Sequence, residues 1–548
     1  MPFLSFIFAL AGVSFCFSRR RQYRAIEEKE SSRVVVQGHT YSDVVAETPQ
    51  TPPQPSRKVE NVRCACIIGA GYTGALTAAV LAKQNPQVQF FVVDSHSQLI
   101  DAWNSGQVPV TEPGLEQLLF EDCEELRETE SRDNQYDPIE DDNMQLELLG
   151  APQQRCWKLS NLNFSTNVHA GIAAADMIFL CTDVPEAIDG ESDNQRLNSS
   201  TSEDILLAIA QVSTGHKIIV QKSAAPCGAV ASIKKTLKTN ASPTASFEVL
   251  SNPDFLVPGS ALQDLLYPQR VIIGHIFSED MSPEAITALK RLYNTWVPEE
   301  RIITMDAWSS ELGKITASAL LAQQMSSLGS MGVICESMNA SVDYVAQTLG
   351  IGHHMGIGLG AEHFRKDVLG LVYLAQELGL QEVAEYWKAV LRMNEFCVRR
   401  TATRFIDRLS SGCLGEKTKT RVAIVGFTGS TVNSRNTSAL YFARELVSRG
   451  VEVTIYVPRV SRVRMEEGLH GHDSELGGIV CAESLEEACR GRNAVVHFGS
   501  RETEQSQAPW SSIVQDMEPP RLFFDPNATA NRSMMQEVGL EVFRPGIC

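Results

Sequence analysis

No CxxC pair occurs among the 13 cysteines of this 548-residue chain. Cys64 and Cys66 alternate along an apparent strand, and most of the others sit in apolar runs. That pattern reads as buried free thiols in a reducing compartment rather than as disulfides or metal ligands. An excess of basic charge is missing too: 48 Lys and Arg stand against 66 Asp and Glu, a formal net charge of -18. Phosphate backbones need a basic footprint, so nucleic acid is excluded as a partner. Nor is there an apolar run of the ~20 residues that cross a bilayer comfortably. The N-terminal MPFLSFIFALAGVSFCFSRRRQYR offers roughly 15, with no basic residue before them as a secretory signal would have. Membrane contact is therefore confined to residues 3–17. A short anchor, an unstructured leader and a secretion signal (with Ala9-Leu10-Ala11 as its cleavage site) all stay open, and Arg19 to Arg21 favour a cytoplasmic body.

What is present is a soluble-protein composition, 43% hydrophobic and 21% charged, in a chain long enough for two to four domains. Residues 1–58 combine the leader with a Pro-rich linker, TPQTPPQPS, that cannot build a core. From Val62 onward short apolar runs alternate with helical segments: VQFFVVD, DMIFLCT, KIIVQKS and RVIIGH are strand-like. This alternation predicts a parallel, doubly wound sheet over residues 59–305. It is interrupted by a densely acidic stretch, residues 119–160, read as a solvated insertion. Residues 306–418 have few breakers and apolar spacing of helical period, which predicts a central domain of long helices. VAIVGFTGS restarts the strand-and-turn pattern in a last α/β domain, residues 419–548. The fold class expected is α/β, with two Rossmann-like parallel-sheet domains joined by a long-helix domain.

The strongest motif is CACIIGAGYTG, a strand running through a glycine turn into a helix, with Asp94 ending the next strand 20 positions after Gly74. Gly69 permits the tight turn, Gly71 lets the backbone approach a pyrophosphate, and Gly74 packs the helix on the sheet. Tyr72 and Thr73 complete the turn, whose helix amino-end faces the phosphates. Asp94 accepts ribose hydroxyls and repels a 2′-phosphate, so the expected cofactor is NAD. The paired His353-His354 has no second ligand cluster in the sequence, and no metal site is expected.

With that unit in place, GAGYTG…VVDSHSQLIDAWNSGQVPVTEPGLEQLL, SNPDFLVPGSALQDLLYPQRVIIG, WSSELGKITASALLAQQMSS and FRKDVLGLVYL resemble the UDP-glucose/GDP-mannose dehydrogenase family, and within it a divergent eukaryotic, fungal-like UDP-glucose 6-dehydrogenase. The resemblance runs from Val62 to about Glu541, excluding the acidic stretch. It implies four-electron oxidation of a sugar CH2OH with two NAD, through a cysteine thiohemiacetal and thioester. It implies UDP-glucose or a related nucleotide sugar as substrate and a homo-oligomer, dimer or higher.

Carried over residue by residue, the family's lysine is Lys314, its aspartate Asp367 and a cofactor-reaching arginine Arg435. Its helix asparagine is Ser318, while Asp254 and Phe255 stand in the substrate segment NPDFLVPG. Several positions depart from the pattern. Pro258 replaces a cofactor-contacting glutamate, Ala224 a threonine and Val457 a strand-end acid, and no lysine meets the sugar nucleotide in FTGSTVNSRNTS. The nucleophile turn reads GLGAEH, with His363 where the cysteine belongs. Two readings follow: a dehydrogenase using neutral His363 with Asp367 one turn on, or an impaired NAD-binding paralogue with a regulatory role.

Overall fold

The computed structural model describes residues 61–106, 108–110, 112–122, 155–182, 200–257, 259–277, 283–348, 362–412, 420–426, 438–458, 462, 465–466, 479–498, 508–526 and 530–544. The leader, the Pro-rich linker, most of the acidic stretch, Arg435, Pro258 and His353-His354 lie outside the described residues.

The first sheet is built from β1 (Cys64–Ile68), β2 (Gln89–Val93), β5 (Leu162–Ser165), β6 (Met177–Leu180), β7 (Gly215–Gln221), β8 (Ala245–Ser251), β9 (Val271–His275) and β10 (Ile302–Asp306), in the order β10-β9-β8-β7-β6-β1-β2-β5. Every pair in it is parallel except β8 with β9. The two short strands β3 (Phe120–Asp122) and β4 (Arg155–Trp157) pair antiparallel at the ends of the acidic stretch. Strand β1 is apolar throughout because both its faces are covered. Ala65 and Ile67 enter one core and Cys66 and Ile68 the other, the period-two alternation of a buried strand.

The second sheet, all parallel, comprises β11 (Arg421–Val425), β12 (Glu452–Tyr456), β13 (Ile479–Cys481), β14 (Ala494–His497), β15 (Leu522–Phe524) and β16 (Glu541–Phe543), ordered β13-β12-β11-β14-β15-β16. Counted in chain order this is 3-2-1-4-5-6, the order of doubly wound dinucleotide folds, and the first sheet begins the same way. Four of the strands absent from the sequence reading, β5, β10, β13 and β16, are sheet edges. There the solvent side tolerates polar residues and the apolar signal thins.

Of the helices, α1 (Tyr72–Gln84) follows β1, and α2 (Ala229–Asn240) follows β7. Between the sheets lie α3 (Ala307–Met338), α4 (Glu362–Glu377) and α5 (Gln381–Gly412), the long-helix region expected. Asp306 starts α3 by accepting the Ser309 N–H at 2.8 Å, and Asn339 ends it in the left-handed conformation, φ 58°. Ile315, Ala319 and Ala322 of α3 pack with Val368 and Leu371 of α4 and Leu391 of α5. Glu336 of α3 pairs with Arg400, at 3.2 Å, and with Arg404, both on α5. Further along α5, Ala402, Phe405 and Leu409 enter the core of the second sheet. No described helix is long and apolar enough to cross a membrane.

Candidate active site

The glycine turn has the geometry its motif calls for. Gly69 has φ +109°, and a Cβ there would lie 2.7 Å from the Cys181 carbonyl oxygen. A Cβ on Gly74 would lie 1.9 Å from the Gly69 oxygen, so α1 packs onto the turn without a side chain between. Gly71 faces open space, with nothing within 4 Å of a Cβ, and as the N-cap of α1 it brings no side chain to the first N–H groups. An open cradle at an uncapped helix amino-end fits a pyrophosphate.

Asp94 closes this cradle. Its Oδ2 accepts the Ala70 N–H at 2.9 Å; its Oδ1 takes the His96 N–H at 3.0 Å and the His96 ring Nδ1 at 2.9 Å. Burial opposes ionisation, but the N–H groups of His96 and Ala70 and the His96 ring outweigh it and hold the carboxyl below its ordinary 3.8. Tyr72 and Thr73, expected at the cofactor, are half-buried. The Tyr72 phenol donates to Glu112, so burial and that carboxylate push its pKa up. Glu112, 6% exposed, also accepts the N–H groups of Gly259 (2.9 Å) and Leu262 (3.4 Å). It therefore ties the dinucleotide turn to the NPDFLVPG segment. Sequence reasoning passed over Glu112, whose only signal is an acid inside the apolar PVTEPGL.

Beyond the carboxyl end of β8 and the amino end of β9 a second group of side chains converges. Asp254 Oδ1 stands 3.8 Å from Lys314 Nζ. The Phe255 ring lies between two cations, Arg270 at 4.6 Å and Lys314 at 5.4 Å from its centroid. One turn along α3 from Lys314, Ser318 is hydrogen-bonded to Asp367 of α4. Asp367 is 7% exposed, and its Oδ2 has no hydrogen-bond partner among the described residues. Burial raises its pKa, against the lowering effect of Ser318, Lys314 and Lys366, with Asp254 adding to the rise. Lys314, Ser318, Asp367, Asp254 and Phe255 are thus brought together. His363 lies in the first turn of α4, but its side chain lies outside the described residues.

Behind Asp254 is a lysine that sequence reasoning did not single out. Lys222, 4% exposed, hydrogen-bonds the Tyr293 phenol, which donates to Asn252 at 2.7 Å. Burial would lower its pKa, but Tyr293, Asp254 and Cys181 raise it, so a buried ammonium backs the site. Gln221 donates to the Ser223 carbonyl at 3.0 Å. Glu311 of α3 reaches α2, accepting the Gly228 and Val230 N–H groups at 2.6 and 2.8 Å.

Comparison with known proteins points the same way as this geometry. The sequence model of the UDP-glucose/GDP-mannose dehydrogenase family, NAD binding domain, matches residues 63–142 and 147–297, and that of the family's central domain matches residues 308–396. The first match runs through most of the acidic stretch, which the sequence reading had left out of the resemblance. UDP-glucose 6-dehydrogenase of Bos taurus is 35% identical over 448 residues, 79% of this chain and 82% of that protein. The Caenorhabditis elegans UDP-glucose 6-dehydrogenase is 32% identical over 515 residues, 89% and 95%. A solved UDP-glucose dehydrogenase from Pyrobaculum islandicum shares the fold at TM-score 0.65 and 21% identity, covering 90% of this chain and 99% of that one. A dinucleotide cradle of this shape, a lysine–carboxylate cluster on a long central helix and relatives matched over nearly their whole length leave one assignment: the chain belongs to the UDP-glucose/GDP-mannose dehydrogenase family and carries its NAD-binding domain.

Proposed function

We propose that the chain oxidises a nucleotide sugar with NAD, and that its residues serve the first of the family's two oxidations, alcohol to aldehyde. The relatives named UDP-glucose 6-dehydrogenase make UDP-glucose the first candidate substrate. The observation that carries this reading is the convergence of Lys314, Asp254, Ser318 and Asp367 beside Phe255. Bound NAD supplies a hydride acceptor. Gly69, Gly71, Tyr72, Thr73, Gly74 and Asp94 would hold it, joined by Arg435 from the last domain. The Lys314 ammonium, held by Asp254, stabilises negative charge developing on the substrate oxygen. Asp367, with one oxygen unpartnered among the described residues and a raised proton affinity, takes the hydroxyl proton. His363, in the first turn of α4, is the alternative acceptor, since a helix amino-end disfavours imidazolium.

The second oxidation of the family needs a thiolate, and position 363 has none. Among the described residues, Cys227 packs against the cluster of Ile315, Val368 and Leu371. Burial and Glu311 push its thiol up to about 11, so it stays protonated and is no substitute nucleophile. Incubation with UDP-glucose and NAD is expected to yield one NADH per sugar and an aldehyde that hydrazine traps. Two NADH would refute the single-step reading. None, with NAD still bound, would favour the regulatory paralogue.

The family resemblance also suggests a homo-oligomer. Leu320, Met331, Ile334 and Met338 recur at helical spacing along α3 and are 39–74% exposed, an apolar stripe suited to a second copy. The free thiols and acidic charge favour a cytoplasmic body.

A further inference from the structure

We propose that His96 tunes this chain's affinity for NAD by competing with the adenosine ribose for Asp94, and that its ring is displaced when the dinucleotide binds. The inference rests on NAD occupying the glycine turn and follows from counting acceptor positions. An ionised carboxylate offers about four, two on each oxygen. The Ala70 N–H uses one position on Oδ2. The backbone N–H and the ring of His96 use both positions on Oδ1. One position remains, while an adenosine ribose presents a 2′- and a 3′-hydroxyl to the acid at this place in the fold.

Departure of the ring alone restores the balance, freeing one position on each oxygen. The His96 side chain is 81% exposed, so packing among the described residues does not oppose that movement. The backbone N–H of His96 stays where it is, since the residue is the N-cap of the helix Ser97–Asn104. The ring is thus an internal ligand of the ribose acceptor. A first hydroxyl binds beside it, and the second only after replacing it. Discrimination for the complete ribose is paid in part by breaking the His96–Asp94 pair.

Calorimetric titration of the full chain with NAD and with 2′-deoxy-NAD tests this. At ~0.7–1 kcal/mol, within the range for an exposed pair, His96→Ala is expected to bind NAD about three- to fivefold more tightly. Its affinity for 2′-deoxy-NAD, which needs only the position already free, is expected to stay within about twofold of the parent. His96→Asn keeps a donor where Nδ1 sits and is expected to bind NAD like the parent. Weaker NAD binding by His96→Ala would mean that the ring merely supports the loop, and would overturn the proposal. So would equal tightening for both dinucleotides, or His96→Asn binding as tightly as His96→Ala. Asp94→Ala separates this from the premise. If it leaves NAD affinity unchanged, or if the parent binds no NAD, the dinucleotide reading of the turn falls and the competition with it. If Asp94→Ala weakens binding and His96→Ala has no effect, only the competition falls.

Discussion

Asp367 combines two properties that a folding chain avoids unless they are used: a buried carboxyl and an oxygen without a hydrogen-bond partner among the described residues. Its folded-state pKa lies above the unfolded 3.8, so the folded state holds its proton more tightly than the unfolded state does. By linkage, the group costs stability above its folded-state pKa, and that cost disappears as pH falls through that pKa toward 3.8. Asp367→Asn should therefore be more stable than the parent by about 1 kcal/mol near neutrality, with the difference closing in acid. Urea denaturation across pH checks this. The same variant should lose about 10²- to 10⁴-fold in hydride transfer while retaining NAD affinity, as expected of a lost proton acceptor. Single-turnover NADH absorbance reads that loss.

At the scale of elements, one side chain of α3 hydrogen-bonds the start of α2. Glu311, 4% exposed, offers its two carboxylate oxygens to the N–H groups of Gly228 and Val230. A carboxylate at a helix amino-end satisfies orphan donors and opposes the dipole. Glu311→Ala should destabilise the chain by about 1–3 kcal/mol, since two N–H groups lose their acceptor. Glu311→Gln, keeping one acceptor oxygen, should recover part of that. Thermal denaturation of the two variants side by side checks the ranking. Neither partner was legible as such in the sequence. Glu311 stands in WSSELGK, where the resemblance draws attention to Lys314, and its partners are backbone groups about 80 residues away. Glu112 was hidden for the same reason, as Gly259, whose N–H it accepts, lies 147 positions on. Ser318 and Asp367 were named from the sequence, but their hydrogen bond belongs to the packing of α3 on α4.

Over the whole molecule, two sheets of doubly wound order are joined through helices that share cores with both neighbours. Ala307 of α3 packs with the core on one face of the first sheet, and Ala402 and Phe405 of α5 with the second. This continuity leaves the outer face of α3 apolar and exposed. Ile334→Glu with Met338→Glu places two charges on that stripe, and light scattering should then find a smaller assembly than for the parent. An unchanged mass would remove α3 from the interface. NAD affinity should stay the same, because the glycine turn lies in the first sheet unit.

The sequence alone determined what local chemistry dictates. Glycines at 69, 71 and 74 between a strand and a helix admit few backbone paths, and an acid at the end of the next strand follows from the register of a parallel pair. The alternation of buried strands with helices likewise specified two predominantly parallel sheets around long helices, because each strand covered on both faces must be apolar along its length. Replacement of the family's cysteine by His363 was also plain from the letters. Tertiary structure alone decided which polar groups satisfy one another: Asp94 with His96 and Ala70, Glu112 with Tyr72 and Gly259, Glu311 with α2, and Lys222 with Tyr293. Hydrogen-bond partners carry no periodicity and impose no spacing in sequence. They are chosen by burial, which demands that each polar group find a partner among whatever the fold has brought within reach.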